Sequence, residues 1–194
     1  MKSPIFIAKH LLKKVLISRL CKRYVLGNQV LIDDIERTYL VRGCTSKNSS
    51  VPDKFKHLMI YYPSYAFLFF WRIKKGDYRW RRYFTKGYEC KIFGSTKIAG
   101  GLVCFHPFGT VINAKSIGKN FEFRNGLTIG NKNNDNTLLP VIGDHVTVGA
   151  NTVIIGDITI GDHVTIGAGS VVVHSFPSRC VIAGNPAKII KTIS

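Results

Sequence analysis

The chain has 194 residues, 45% of them hydrophobic, which predicts one or two small globular domains with enough apolar material for a core. Its formal net charge of +17 is unusually high and unevenly spread. Residues 1–91 carry 20 Lys and Arg against 6 Asp and Glu, whereas residues 92–194 carry 8 against 5. We therefore expect the basic surface of the N-terminal region to concern partners or location.

The five cysteines are scattered and include no Cys-x-x-Cys pair. This pattern argues against a disulfide framework or a zinc knuckle and favours a reducing compartment. Positive charges interrupt the apolar start of the chain and no small-residue cleavage site follows, so no signal peptide is expected. The most apolar run, residues 58–71, is too short to span a bilayer and contains Pro63. The sequence therefore predicts a cytoplasmic protein.

The N-terminal region, residues 1–91, is expected to be largely helical. Residues 5–20 place apolar side chains at helical spacing opposite lysines. That helix either packs on the rest of its domain, which we favour, or lies as a basic amphipathic helix on an anionic membrane. Residues 28–42 are ambiguous between helix and strand, residues 43–53 predict a polar connection, and residues 61–64 predict a turn into a helix.

Residues 72–91 interleave arginines, lysines and aromatics, a mixture that occurs in nucleic-acid-binding segments. No recognised nucleic-acid-binding motif surrounds them. We therefore expect a solvated junction before the second domain and no nucleic-acid partner.

From residue 92 onward, apolar residues recur at every sixth position. A period of six fits neither an α-helix nor a lone strand, and it predicts a parallel β-helix whose coils each have three short sides. The period slips by one residue after Cys104, and the polar stretch 131–140 interrupts it as a loop at a corner. We expect a mainly β domain over 92–194, a left-handed β-helix of four to five coils with a C-terminal cap. The hexads start at Ile92, Ile98, Cys104, Val111, Ile117, Phe123, Ile129, Ile142, Val148, Ile154, Ile160, Ile166 and Val172.

The hexad IGDHVT occurs twice, at 142–147 and 160–165. Because the copies are eighteen residues apart, His145 and His163 should occupy equivalent points on neighbouring coils, near 5 Å apart. Stacked histidines on a β-helix can bind zinc, but a third ligand is not evident. We favour a repeat copied with its surface residues, and we predict no metal site.

Four segments carry a resemblance to a known family: GGLVCFHPFGTVIN (100–113), NGLTIGN (125–131), IGDHVTVGANTVIIGDITIGDHVTIGAGSVV (142–172) and AGNPAKII (183–190). They resemble the acetyl-CoA-dependent hexapeptide acyltransferases of the serine acetyltransferase-like branch. Within it, the pattern is most similar to O-acetyltransferases of exopolysaccharides of the colanic-acid type. The resemblance implies acetyl-CoA as co-substrate, no tightly bound cofactor, and a homotrimer whose sites are each shared between two subunits.

The resemblance also implies the site residues. His106 falls where the family carries its catalytic histidine, and O-acetyl transfer needs a base for the attacking hydroxyl, which imidazole supplies. Two pairs match the family's CoA groove, Gly149-Ala150 and Gly167-Ala168, and could equally be simple corner residues. Gly130-Asn131 matches the stretch near the thioester, where an N–H could stabilise the oxyanion. Lys188 and Lys191 could meet the phosphates of CoA.

The chain departs from the serine acetyltransferases at the acceptor positions. Phe105 and Lys91 stand where that family carries acidic residues, and Leu138-Leu139 replaces an Arg-His pair. Without those carboxylates the site has little with which to hold the ammonium group of serine. The group that orients His106 stays open between Glu89, Asn113 and a residue of another subunit.

The sequence therefore predicts an acetyl-CoA-dependent O-acetyltransferase that acts on a sugar hydroxyl of a surface polysaccharide or its lipid-linked precursor. The first alternative is serine O-acetyltransferase. The second is a non-catalytic β-helix binding or scaffold protein with a basic, membrane-docking half. The basic half would suit an anionic glycan or the anionic inner face of the membrane, so peripheral membrane contact stays open.

Overall fold

The structure, a computed structural model, describes residues 4–44, 49–74, 77–85 and 87–193, with side chains from residue 11 onward. The chain divides into two compact units, Met1–Gly87 and Tyr88–Ser194. The predicted connection 43–53 and the basic segment 72–91 are therefore only partly described, and the side chains of residues 5–10 lie outside the described ones.

The first unit is helical. It contains α1 (Pro4–Leu20), which continues into a π-helical turn (Cys21–Val25), then α2 (Gln29–Val41), α3 (Val51–Tyr61), α4 (Pro63–Ile73) and a 3-10 helix (Asp77–Tyr83). Asn28 caps α2 by accepting a hydrogen bond from the N–H of Leu31 at 3.3 Å, so the ambiguous segment 28–42 is a helix. The predicted helix after the turn at 61–64 is confirmed, with Pro63 at its first position.

Among the side chains of α1 that the structure describes, residues 11–20, one face is buried. Leu16, Ile17 and Leu20 belong to the core of the helical unit, together with aromatic residues of α3 and α4. Leu11, Leu12 and Val15 also stand at helical spacing but are 50–65% exposed. The predicted helix is therefore confirmed, and its packing on the domain accounts for only part of its apolar surface.

The second unit is a β-helix of about five coils. The fold predicted from the hexads, a left-handed parallel β-helix preceded by helices, is confirmed. Sheet A contains β1 (Cys90–Ile92), β4 (Thr110–Ile112), β7 (Thr128–Gly130), β10 (Val153–Ile155) and β13 (Val171–Val172). Sheet B contains β2 (Lys97–Ile98), β5 (Ser116–Ile117), β8 (Val141–Ile142) and β11 (Thr159–Ile160). Sheet C contains β3 (Val103–Phe105), β6 (Glu122–Arg124), β9 (Thr147–Val148), β12 (Thr165–Ile166), β14 (Cys180–Gly184) and β15 (Ala187–Thr192).

The register of the first two coils differs from the predicted one. Ile92 pairs with Ile112 and Ile112 pairs with Ile129, so Ile112 points into the prism. Val111, the predicted hexad start, is 38% exposed on the outer face of sheet A. Two residues are thus inserted between Cys104 and Ile112, and one residue is missing between Ile112 and Ile117. The net effect is the one-residue slip seen in the sequence.

The corners between the sheets form three edges of the prism. We name the C-to-A corners the His106 edge, the A-to-B corners the loop edge, and the B-to-C corners the aspartate edge. The predicted loop 131–140 is confirmed between β7 and β8, on the loop edge. At the end of the chain β15 folds back antiparallel to β14, so it forms the outer edge of sheet C.

Candidate active site

His106 lies in the inserted corner between β3 and β4. Its backbone is left-handed, with φ 50°, and Gly109 at φ 58° allows the chain to return to sheet A. The N–H of Phe108 donates to the carbonyl of His106 at 2.7 Å, and the carbonyl of Phe108 accepts from Gly126 of the next coil at 2.9 Å. The imidazole is exposed, and within the described part of the chain it has no hydrogen-bond partner. The insertion therefore displays an unpaired imidazole on a corner that is hydrogen-bonded to the next coil.

A charged and aromatic cluster that was not predicted from the sequence adjoins His106 on sheet C. Phe105 pairs in parallel register with Arg124, and the guanidinium carbon of Arg124 lies 4.5 Å from the centre of the Phe105 ring. Arg124 also contacts the carboxylate of Glu122 at 3.4 Å. The sequence indicates this cluster through the alternation of charged and apolar residues over 122–124. Because Phe123 points inward in its strand, the side chains of both neighbours point outward.

Lys91 and Phe105, two positions at which the sequence departs from the family it resembles, lie on sheets A and C. Phe105 lies under Arg124, and the ammonium group of Lys91 lies 4.5 Å from the centre of the Phe93 ring. The outer surfaces on both sides of the His106 edge, sheet C and sheet A, therefore each present a cation held over an aromatic ring.

Small residues follow the His106 edge from coil to coil. Gly149 and Gly167 occupy equivalent positions, and a Cβ on Gly149 would lie 2.7 Å from the Cα of Ala168. A Cβ on Gly167 would lie 2.9 Å from that of Ala183, which pairs with Lys188 on β15. The predicted groove positions therefore form one continuous strip, Gly149-Ala150 to Gly167-Ala168 to Lys188. The close stacking of the coils by itself requires a glycine at 149.

Gly130 and Asn131 lie on the loop edge, one side of the prism away from His106. Asn131 donates from its amide to the side-chain oxygen of Asn136 at 2.9 Å, and Asn113 donates to the same oxygen at 3.4 Å. Asn113 is therefore engaged away from His106. In the same loop, hydrogen bonds from the hydroxyl and the N–H of Thr137 lower the pKa of the Asp135 carboxyl from its ordinary value.

Glu89 is the remaining predicted partner for His106 within the chain. It immediately precedes β1, and its carbonyl accepts from the N–H of Thr110 at 3.1 Å, one coil from the inserted corner. Beside it, the Tyr88 and Phe108 rings lie 4.8 Å apart. Glu89 thus lies on the His106 edge, with its side chain exposed and not bonded to the imidazole.

His145 and His163 stack on the aspartate edge as predicted, with ring centres 4.5 Å apart and planes 5° from parallel. The adjacent carboxylates serve the backbone: Asp144 accepts from the N–H of Lys119 at 2.6 Å, and Asp162 accepts from that of Asp144 at 2.7 Å. Among the described residues, no group of three or more His, Cys, Asp or Glu side chains is arranged to hold a metal ion. The geometry of this edge is that of a coil-stacking ladder.

Comparison with known proteins agrees with this architecture. Residues 140–174 match the bacterial transferase hexapeptide family (six repeats). Over 104 residues the chain is 42% identical to the putative colanic acid biosynthesis acetyltransferase WcaB of Escherichia coli (strain K12), covering 53% of this chain and 63% of that protein. Over 108 residues it is 40% identical to the chloroplastic serine acetyltransferase 1 of Arabidopsis thaliana, covering 55% of this chain and 34% of that protein.

A solved structure shares the fold over most of the chain. The serine acetyltransferase of Brucella abortus strain S19, crystallised in complex with coenzyme A, aligns with a TM-score of 0.64 at 23% identity. The alignment covers 91% of this chain and 72% of that one. The resemblance predicted from the sequence is confirmed: the chain is similar, in its hexapeptide repeats and its fold, to acetyltransferases of the serine acetyltransferase-like branch.

Proposed function

We propose that the protein is an acetyl-CoA-dependent O-acetyltransferase that modifies a sugar hydroxyl of a surface polysaccharide or its precursor. A ring nitrogen of His106 takes the proton of the acceptor hydroxyl as its oxygen attacks the thioester carbonyl carbon. The tetrahedral intermediate then collapses, the C–S bond breaks, and the proton passes from the imidazolium to the sulfur of CoA. An N–H at Gly130-Asn131 would stabilise the oxyanion.

The observation that carries this proposal is the inserted corner. The insertion interrupts an otherwise regular stack, and its effect is to present one unpaired imidazole on the same edge that carries, two coils farther on, the strip of small residues. From His106 this edge runs over about four coils, roughly 19 Å at 4.8 Å per coil, to Ala183, which pairs with Lys188. An extended pantetheine arm with phosphates at its far end fits such a path. The coenzyme A complex of the Brucella relative and the names of the curated relatives support the same donor.

The acceptor is better assigned to a sugar than to serine. Serine carries an ammonium group, and the two positions where the resemblance implies acidic residues to hold it are occupied here by Lys91 and Phe105, neither of which carries a negative charge. The similarity to WcaB, which is named for colanic acid biosynthesis, supports a glycan. Serine O-acetyltransferase therefore remains the alternative that an acceptor panel has to exclude.

A homotrimer would complete the site. His106 and Gly130 lie at opposite margins of sheet A, roughly 16 Å apart for a side of about five residues. A neighbouring copy that packs against this side would bring its own Gly130 toward His106, and it could supply the missing partner of the imidazole. The outer face of sheet A is suited to such packing because it is apolar over most of its length: Val111, Val153, Ile155, Val171 and Val173.

We also assign the exposed face of α1 to an anionic bilayer surface, in a protein that is otherwise cytoplasmic. Leu12 and Val15 are 50% and 65% exposed, and Val15 borders a surface depression together with Arg19, Lys22 and Arg23. Apolar side chains flanked by cations match the chemistry of an interface that contains anionic lipids. Within the described residues, no helix is both long and apolar enough to cross a membrane.

The decisive experiment measures CoA release from acetyl-CoA with a panel of sugars, nucleotide sugars, acidic oligosaccharides and amino acids. Sugar-dependent thiol release with a negligible rate on L-serine is the expected result. Faster turnover of L-serine than of any sugar would replace the proposal by the serine alternative. Absence of CoA binding by calorimetry would instead indicate a scaffold protein.

A further inference from the structure

Arg124 is held in place on two sides beside His106. Its guanidinium lies over the Phe105 ring at 4.5 Å, and one terminal nitrogen reaches the carboxylate of Glu122 at 3.4 Å. Glu122 is 11% exposed in its side chain and Arg124 is 45% exposed. Within the described part of the chain, Glu122 is the single hydrogen-bond partner of this arginine. A mostly buried acid therefore orients an arginine whose other donors face solvent.

This arrangement differs from an ordinary surface ion pair. A surface pair contributes little to stability, so the contact with Glu122 alone does not explain the cluster. Arginine stacked on an aromatic ring loses less side-chain freedom when it binds a ligand, and its planar fork matches a carboxylate with two parallel hydrogen bonds. Phe105 directly precedes His106 in sequence, so a group bound by Arg124 lies next to the imidazole.

We infer that Arg124 binds a carboxylate of the acceptor, and that the preferred acceptor is an acidic sugar unit of the uronic-acid type. The inference rests on the proposed function, because it names the acceptor of the same site. Lys91 adds a second positive charge across the edge, on the outer face of sheet A. Because Glu122 and the exposed Glu89 carry negative charges near the same edge, recognition of the acid rests on the directed donors of Arg124 and not on a net positive field.

The test uses acceptors that differ in one charge. Methyl β-D-glucuronoside and glucuronic-acid-containing oligosaccharides are each compared with their carboxyl methyl esters, which keep every ring hydroxyl. With the wild-type protein and saturating acetyl-CoA, kcat/KM for the acid should exceed that for the ester at least tenfold. In Arg124→Gln this ratio should fall to within about twofold of one, mainly through a higher KM for the acid. Activity on the ester should change far less than activity on the acid, and the KM for acetyl-CoA should stay within about twofold.

Two further variants separate recognition from general charge. Arg124→Lys keeps the charge but loses the fork, so it should recover only part of the preference for the acid. Lys97→Gln removes one exposed cation from sheet B and should keep the full ratio. Thermal denaturation of each variant verifies that its fold is retained.

The outcomes distinguish this inference from the proposed function. If Arg124→Gln is folded and keeps the wild-type ratio, or if the wild type uses acid and ester equally well, the acceptor role of Arg124 is wrong and the transferase stands. A preference for phosphorylated over carboxylated sugars would also overturn it. If no sugar supports CoA release by the wild type, the proposed function fails and the inference fails with it.

Discussion

Replacement of His106 by asparagine is the sharpest perturbation of the proposed mechanism. The backbone at this position is left-handed, with φ 50°, a conformation in which asparagine is among the best tolerated residues and alanine is not. The variant His106→Asn therefore removes the imidazole while it leaves the inserted corner unstrained. Because the side chain is exposed and unpaired within the described residues, the free energy of unfolding should change by less than about 0.5 kcal/mol.

The catalytic effect should be much larger. A positioned general base typically contributes about 10²–10⁴ in rate. We expect kcat to fall by that factor, which corresponds to roughly 2.7–5.4 kcal/mol of transition-state stabilisation. The affinity for CoA should remain within about twofold, since the proposed groove lies on the coils beyond residue 106.

The assay follows the thiol of CoA with a chromogenic disulfide reagent in the presence of the best acceptor. A blank without acetyl-CoA is needed because the chain has five cysteines, and two of them are only partly buried. His163→Asn is the matched control, because His163 is also exposed and left-handed, at φ 57°, but lies on the aspartate edge. If folded His106→Asn turns over within about threefold of the wild type, or His163→Asn loses as much activity, the assignment of the base is refuted.

The coil stacking, the outer face of sheet A and helix α1 each give a further prediction. Gly149→Ala should lower the free energy of unfolding by about 1–3 kcal/mol, because its Cβ would lie 2.7 Å from the Cα of Ala168. Gly130→Ala, whose Cβ would lie 3.4 Å from a side-chain methyl, should lower the free energy of unfolding by less than about 1 kcal/mol. Equal melting temperatures for these two glycine variants would contradict the prediction. Light scattering should give three times the 21.7 kDa chain mass for the wild type and a smaller mass for Val111→Asp. Leu12→Glu should weaken sedimentation with anionic vesicles about tenfold, and unchanged binding would remove α1 from the membrane contact.

The regular part of the β-helix could be predicted from the sequence because burial repeats with the coil. From Ile142 to Val172 every sixth residue points inward, and all six of these residues are buried. The predicted register was wrong at Val111. Because Val111 and Ile112 are both apolar, either could be the inward residue, and nothing in the sequence of 106–109 indicates how many residues are inserted at the corner. The register is fixed by the pairing of Ile112 with Ile92 and with Ile129 in the structure.

The surface roles of single residues were harder to predict. The spacing in α1 marks Leu12 and Leu16 alike, yet only Leu16 meets the core, because the choice depends on helices that are distant in sequence. His106 was identified through family resemblance and the irregular spacing around it. Arg124 was missed because its contact with Phe105 spans nineteen residues, a separation that the insertion shifts from the regular eighteen.

The three edges of the prism explain why we place the proposed site away from the most conspicuous repeat. The paired IGDHVT hexads place Asp144 and Asp162 where each carboxylate accepts from a backbone N–H of the preceding coil. Every regular coil can form this hydrogen bond with the coil before it, so the stability of the stack is sufficient to explain why the hexad is repeated. A general base needs the reverse, an imidazole that no neighbouring coil engages. Since a regular corner supplies stacking partners, the chain has to break its period to leave His106 unpaired, and the break in the period is therefore the stronger indication of chemistry.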